Sequence, residues 1–116
     1  MIFLPVLIIL GTIFQGVAMF RSGIMYDFGI GYWGPLARDG VWHEALVGQL
    51  NRGIPPGNPG FAGQLLTNYH YFYDLLVSAV HGLGVPSNFL IYRFFPVIFS
   101  ILFGIGTYKL ANVLFK

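Results

Sequence analysis

The sequence predicts an all-α membrane protein with three transmembrane helices and a long first loop that carries a short amphipathic surface helix. Composition is the first reason: the chain is 56% hydrophobic and 9% charged, whereas a typical soluble domain is roughly 25% charged. The few charges also leave uncharged stretches long enough to cross a bilayer. Finally, the aromatic content is 18%, and Tyr and Trp rings suit membrane–water boundaries.

Charge and cysteine content narrow the function classes. The net charge is +2, and the basic residues form no cluster of the kind that binds nucleic acids. We therefore expect no nucleic-acid partner and a lipid bilayer as the main surrounding. The chain has no cysteine, which excludes disulfide bonds.

The first predicted span covers residues 1–20, which contain no charged residue. A helix of this length reaches about 30 Å, the thickness of the hydrocarbon core. A cleaved signal peptide would have a basic start, a shorter apolar run and a small-residue cleavage site, and none of these is clear here. We therefore interpret this segment as a retained helix.

Residues 21–64 form the predicted loop, which holds most of the charged residues and many glycines and prolines. Within it, the spacing of apolar residues predicts a surface helix over 40–51, with Trp42 at the headgroup level. Asp39 stands just ahead of this helix, at the N-cap position. The Pro- and Gly-rich stretch 53–60 then interrupts regular structure.

The second predicted span, residues 65–85, has one polar side. At 100° per residue its polar side chains fall within an arc of about 80°. They are Thr67, His70, Asp74, Ser78 and His81. An ionised Asp inside a bilayer is costly, so Asp74 is expected to face a partner helix or a wet cavity. Both interpretations remain open: a bond between helices, or the wall of a functional cavity.

The third predicted span covers residues 87–115 and begins with Ser87 as a cap. Arg93 and Lys109 flank its uncharged middle, and their long side chains can reach the interface. Pro96 predicts a kink in this helix, because proline lacks the backbone N–H of the helical ladder.

Two side chains of the loop are candidates for chemistry. Asp39 and His43 are four residues apart, so on a helix they can face each other across one turn. A carboxylate and an imidazole at this spacing can bind a divalent metal ion, although two ligands are fewer than a complete site. Tyr69 and the neighbouring aromatic residues fit an interfacial belt or a substrate platform.

Three segments then show a family resemblance. They are DGVWHEAL at 39–46, PPGNPGFAG at 55–63 and NYHYFYD at 68–74. In this order and spacing they resemble the first loop of multi-spanning GT-C glycosyltransferases, most closely bacterial and archaeal members of that superfamily. The resemblance covers most of the chain: first span, surface helix, loop and second span.

The resemblance implies transfer of a sugar from a polyprenyl-phosphate donor at the outer face of the cell membrane. By position, Asp39 corresponds to the carboxylate that serves as base or metal-linked acid, and His43, Tyr69, His70 and Asp74 are expected to line the substrate cavity. Many members have two adjacent acids, whereas Gly40 follows Asp39 here.

Topology and length follow from the same resemblance. The family has many more spans, so we expect this chain to be the front end of a larger multi-pass protein and not active alone, with further spans in the same or another chain. The family places the first loop outside, whereas its three arginines, Arg21, Arg38 and Arg52, favour the cytoplasm weakly.

Two alternatives remain beside the glycosyltransferase. The chain fits a non-enzymatic membrane subunit or scaffold, held to its partners by the polar second span. It also fits a fragment of a transporter, with His70, Asp74 and His81 along a path through the membrane.

Overall fold

The computed structural model of the protein describes residues 3–34 and 37–115. The chain is mostly helical in these ranges, with a short antiparallel hairpin after the first helix. The elements are α1 (Phe3–Val17), β1 (Ile24–Tyr26), β2 (Gly29–Gly31), α2 (Ala37–Leu50), α3 (Phe72–His81) and α4 (Ser87–Leu114).

Helices α1 and α4 pack against each other as an antiparallel pair. Ser100 of α4 donates a hydrogen bond to the Gln15 side chain of α1 over 3.1 Å. Further along α4, Gly104 lies against Ile8 of α1. A Cβ at Gly104 would be 3.2 Å from an Ile8 side-chain carbon, so the missing side chain lets the two helices approach closely.

Helix α4 is the one helix in the described residues that is long and apolar enough to cross a membrane, with 28 residues. Only 28% of its most apolar window is buried, whereas the core helix of a soluble protein is mostly buried. Its first part contains a π-helical turn, Leu90–Phe94, directly before Pro96, where the sequence predicts a kink. A π-turn at this point shifts the hydrogen-bond ladder ahead of the proline.

Helices α2 and α3 form a second layer with a core of its own. Leu46 and Val47 of α2 and Val77 of α3 are almost completely buried. The start of α4 closes this core through its fully buried residues Leu90 and Tyr92. The predicted surface helix is therefore confirmed as a helix, but its apolar side packs on α3 and α4.

The prediction of a helix over 65–85 is wrong in extent. Helix α3 has 10 residues and rises about 15 Å, half of the hydrocarbon core. Before it, Leu65 forms a β-bridge with Gly57, and the N–H of Leu66 donates to the carbonyl of Pro56 over 2.9 Å. Because the backbone pairs here with the preceding loop, this part of the segment is extended, and three transmembrane helices are not supported.

Two further local predictions need correction. Asp39 is not an N-cap, because α2 already includes Ala37 and places Asp39 in its first turn. The hairpin of β1 and β2 was not predicted at all. Its return strand begins at Gly29, whose φ of 123° is a conformation that other residues rarely adopt.

Candidate functional site

A cleft of about 180 Å³ lies where the end of α1 meets α2, α3 and the start of α4. Helix α2 supplies one wall, because positions 39, 40 and 43 fall on one side of a helix. The π-helical turn of α4 supplies the opposite wall. The lining residues are Met19, Asp39, Gly40, His43, Tyr73, Ile91 and Tyr92.

A hydrogen bond to Asp74 fixes the position of His43. Its Nδ1 lies 2.6 Å from Oδ1 of Asp74, which is fully buried, while the His43 side chain is 28% exposed. The hydrogen bond to Asp74 raises the pKa of His43; burial lowers it, and the negative charges of Asp74 and Asp39 raise it further. With Nδ1 committed to Asp74, Nε2 is the ring nitrogen left for a ligand.

Gly40 and Tyr92 shape the floor of the cleft. The Tyr92 hydroxyl is buried and has no hydrogen-bond partner among the described residues. It lies so close to Gly40 that any Cβ there would overlap it. Any side chain at residue 40, including a second acidic one next to Asp39, would collide with Tyr92.

Glu44 extends the polar network to the beginning of α4. The Ser87 hydroxyl donates a hydrogen bond to its carboxylate, so Ser87 does not cap α4. Burial raises the pKa of Glu44, while the bond from Ser87 and the nearby His81 lower it. Nδ1 of His81 lies 2.7 Å from the carbonyl oxygen of Val85.

The structure brings together some of the predicted site residues and separates others. Asp39 is exposed on the wall of the cleft beside His43, and Asp74 lies behind His43. Tyr69 instead packs edge-on against Trp42, with ring centroids 5.7 Å apart. His70 is exposed outside α3 and stacks on Tyr69 at 5.0 Å, so neither of these two residues lines the cleft.

The polar stripe of α3 is thus shorter than predicted. Asp74 and Ser78 are buried against α2, where Ser78 donates a hydrogen bond to the side chain of Asn51 over 2.7 Å. Thr67 and His70 lie before the helix and do not share this face. A bond between helices is therefore the observed role of Asp74.

Glu44, Tyr73 and Tyr92 are the site residues that sequence reasoning did not select. Glu44 follows His43 directly, but neighbouring residues of a helix do not face each other, so their adjacency gave no signal. Tyr73 and Tyr92 gave no signal either, because tyrosines near apolar runs are common at membrane boundaries.

The side chains of the cleft offer few ligands for a metal ion. Among residues 3–34 and 37–115, no group of three or more His, Asp and Glu residues is close enough to hold an ion. Asp39 and His43 remain a pair of ligands, and Nδ1 of His43 is already taken by Asp74. The open carboxylate of Asp39 is better suited to accept a hydrogen bond or a proton from a hydroxyl group.

Comparisons of the chain with protein families, with curated proteins and with solved structures gave no match.

Proposed function

We propose that this chain is the membrane-embedded front part of a glycosyltransferase that uses a polyprenyl-phosphate sugar, with Asp39 as its catalytic carboxylate. The single observation that carries the proposal is the place of Asp39. It is exposed on the wall of a cleft, beside an imidazole that a buried acid holds in position. The family resemblance of the surrounding segments supplies the reaction.

The membrane part of the proposal rests on α1 and α4. Many large apolar side chains of this antiparallel pair point outwards, which is stable in lipid and unfavourable in water. Helix α1 has 15 described residues, or about 22 Å, which a bilayer accommodates by local thinning. We therefore propose two crossings within this chain, while the short α3 stays on one side of the membrane.

The cleft then lies at the membrane boundary. It is lined by Met19, just after α1, and by Ile91 and Tyr92, near the start of α4. The two ends are on the same side because the helices are antiparallel. Arg21 lies 5.9 Å from the centre of the Trp33 ring next to this end of α1, and aromatic and basic residues favour headgroup depth. The resemblance places this side outside the cell.

The proposed reaction needs one proton acceptor. An acceptor hydroxyl oxygen attacks the anomeric carbon of the donor, and its proton passes to the carboxylate of Asp39. The bond between the anomeric carbon and the lipid phosphate oxygen breaks, and the phosphate leaves with the electron pair. A divalent metal would find two ligands in Asp39 and His43, too few for a closed protein site, so no step depends on it.

Asp39→Asn tests the assignment, because it keeps the shape of the side chain and removes nearly all basicity. We expect normal insertion and a loss of about 10²–10⁴ in the rate of sugar transfer, the usual contribution of a positioned base. The assay uses membranes that contain the complete protein and a polyprenyl-phosphate sugar. Asp27→Asn, at the exposed hairpin turn, is the matched control. Transfer by Asp39→Asn at the unmodified rate would refute the catalytic role.

A non-enzymatic scaffold is the second candidate, and the bond between His43 and Asp74 favours it. A buried acid that ties two helices together is sufficient reason for a polar α3. On this reading, neither unmodified membranes nor any Asp39 variant would show transfer, while Asp74→Leu would still disrupt assembly.

A further inference from the structure

Apolar side chains cover both faces of the β1–β2 hairpin and its turn. Met25 pairs with Ile30 across the strands, so their side chains share one face, where Met25 is 67% exposed. On the opposite face, the ring of Tyr26 lies close over Gly31. Phe28, in the turn, stacks on Tyr26 with ring centroids 5.1 Å apart and is 82% exposed. The hairpin is therefore apolar on both sides and at its tip.

Trp33 and Arg21 continue this surface beyond the strands. The indole of Trp33 lies against Gly31, on the same face as Tyr26, and is half exposed. The Arg21 guanidinium lies 5.9 Å from the centre of the Trp33 ring. Among residues 3–34 and 37–115, no acidic side chain pairs with Arg21, so its charge is available to a lipid phosphate.

Hydrogen bonds fix the hairpin to the end of the α1–α4 pair. Arg93 of α4 donates to the carbonyls of Phe20 and Ser22 over 3.0 and 3.1 Å. Asn88 donates to the carbonyl of Gly23 over 2.9 Å. Because α1 rises only about 22 Å and the hydrocarbon core is about 30 Å thick, residues directly after α1 lie at the depth of the membrane boundary.

From this position and surface we propose that the hairpin is a membrane anchor, which lies among the lipid head groups with Met25, Phe28 and Trp33 directed into the acyl boundary. The proposal rests on the proposed membrane location of the helix pair. It requires no sugar transfer.

The two apolar faces select lipid as the occupant. A second copy of the chain or a further transmembrane helix packs against one face of a two-stranded ribbon and leaves the other face exposed. One bound polyprenyl chain is likewise too narrow to cover both faces and the turn. Lipid surrounds the ribbon, so it covers Met25 and Ile30 on one face and Tyr26 and Trp33 on the other.

The backbone limits the depth of the hairpin to the head-group layer. Neither outer edge of the two strands pairs with another strand in the described part of the chain. Unpaired N–H and C=O groups are costly in hydrocarbon, but water reaches them among the head groups. Asp27, exposed in the turn, needs water for the same reason.

Depth-dependent fluorescence quenching in phosphatidylcholine vesicles tests the proposal. An environment-sensitive fluorescent amino acid replaces Phe28, Gly53 or Leu102 in the complete protein, one position at a time. The quenchers are iodide in water and lipids with a doxyl group either near the head or deep in the chain. At position 28 we expect quenching by the shallow doxyl group and protection from iodide. Position 53, in an exposed loop, should respond to iodide, and position 102, in the middle of α4, to the deep doxyl group.

Two results at position 28 would overturn the anchor. Iodide quenching equal to that at position 53 would place the hairpin in water. Protection from iodide and from both doxyl lipids would mean that protein covers it, either a second copy or a further span.

A comparison of the two faces separates lipid from a one-sided partner. With the fluorescent residue in place of Met25 or of Trp33, the shallow doxyl group should quench both positions. Phe61, which is 62% exposed outside the hairpin, is the matched control, and the same replacement there should remain open to iodide. Lipid quenching on one face alone would contradict the proposal.

The result is separable from the tests of the proposed function. Lipid quenching at position 102 together with iodide quenching at position 28 would remove the anchor and leave the membrane location of the pair. Failure of the lipid quenchers at position 102 would remove the membrane location and the anchor with it. The rate of transfer by Asp39→Asn bears on neither.

Discussion

The antiparallel pair of α1 and α4 and the layer of α2 and α3 use their apolar residues in opposite ways. In the pair, Phe14 is 83% exposed and Phe103 69%. In the layer, Leu46 and Val77 are completely buried. The layer has an inside of its own, whereas the pair depends on its surroundings to cover it. The proposed membrane location of the pair accounts for this difference, because lipid would cover its apolar side chains while water lies beside the layer.

Polar side chains repeat the contrast. The layer has three partly buried side-chain bonds, which join α2 and the residue after it to α3 and α4: His43 to Asp74, Asn51 to Ser78 and Glu44 to Ser87. Between the helices of the pair, the described residues make one such bond, from Ser100 to Gln15. Because buried polar networks are costly to break, changes in the layer are expected to cost more than changes in the pair.

The largest loss of stability is expected for Asp74→Leu. It removes the buried acceptor of the partly exposed His43, and loss of a hydrogen bond to a charged group costs up to about 3 kcal/mol. Thermal unfolding in detergent micelles, followed by circular dichroism, measures the effect. A matched variant is Leu75→Ile, which keeps α3 apolar at the next position. Equal melting temperatures for the two variants would mean that Asp74 does not hold the layer together.

The same bond predicts a dependence on pH. Because the folded state raises the pKa of His43, its contribution to stability is fully present below the unfolded value, about 6.5. It is lost as pH rises through the folded value. The melting temperature of the unmodified chain should therefore fall over this interval, and that of His43→Gln should not. A flat profile for the unmodified chain would argue against the ion pair.

A smaller loss is expected for Gly40→Ala. The new methyl group overlaps the Tyr92 hydroxyl, and overpacking of this kind costs roughly 1–3 kcal/mol. Adding Tyr92→Phe removes that oxygen but keeps a ring carbon 2.6 Å from the Cβ position, so the double variant should recover only part of the loss in the same unfolding measurement. Gly48→Ala, on the same helix with open space around it, is the control. No recovery in the double variant would place the damage elsewhere.

The smallest effect is expected in the helix pair, for Gln15→Leu. It removes the hydrogen bond to Ser100, and such bonds between helices in membranes average about 0.6 kcal/mol. A loss as large as that of Asp74→Leu would erase the distinction between the two regions.

Apolar runs and helical spacing were enough to predict α1, α2 and α4, because these signals are local. The extent of α3 was not predictable in this way. Hydropathy does not indicate that the backbone N–H of Leu66 donates to the carbonyl of Pro56. This pairing keeps the residues before α3 out of the helix.

The candidate site also has a part that the sequence predicts and a part that it does not predict. Asp39 and His43 were found together because a helical turn connects them. The partnership of His43 with Asp74 spans 31 residues, and the contact of Gly40 with Tyr92 joins separate helices, so neither leaves a local pattern. The sequence presented the Asp39–His43 pair and the polar side of the second predicted span as separate candidates. In the structure they meet, because His43 bonds to Asp74.

Cysteine accessibility tests the division into a lipid-facing pair and a water-facing layer most directly. The chain has no cysteine, so single substitutions carry the signal alone. Gly53 lies in an exposed loop with open space around it, and Leu102 of α4 is 57% exposed. Added to intact cells, a membrane-impermeant maleimide should label Gly53→Cys and leave Leu102→Cys unlabelled, even after permeabilisation, because a thiol in lipid does not ionise. Equal labelling of both positions would contradict the account.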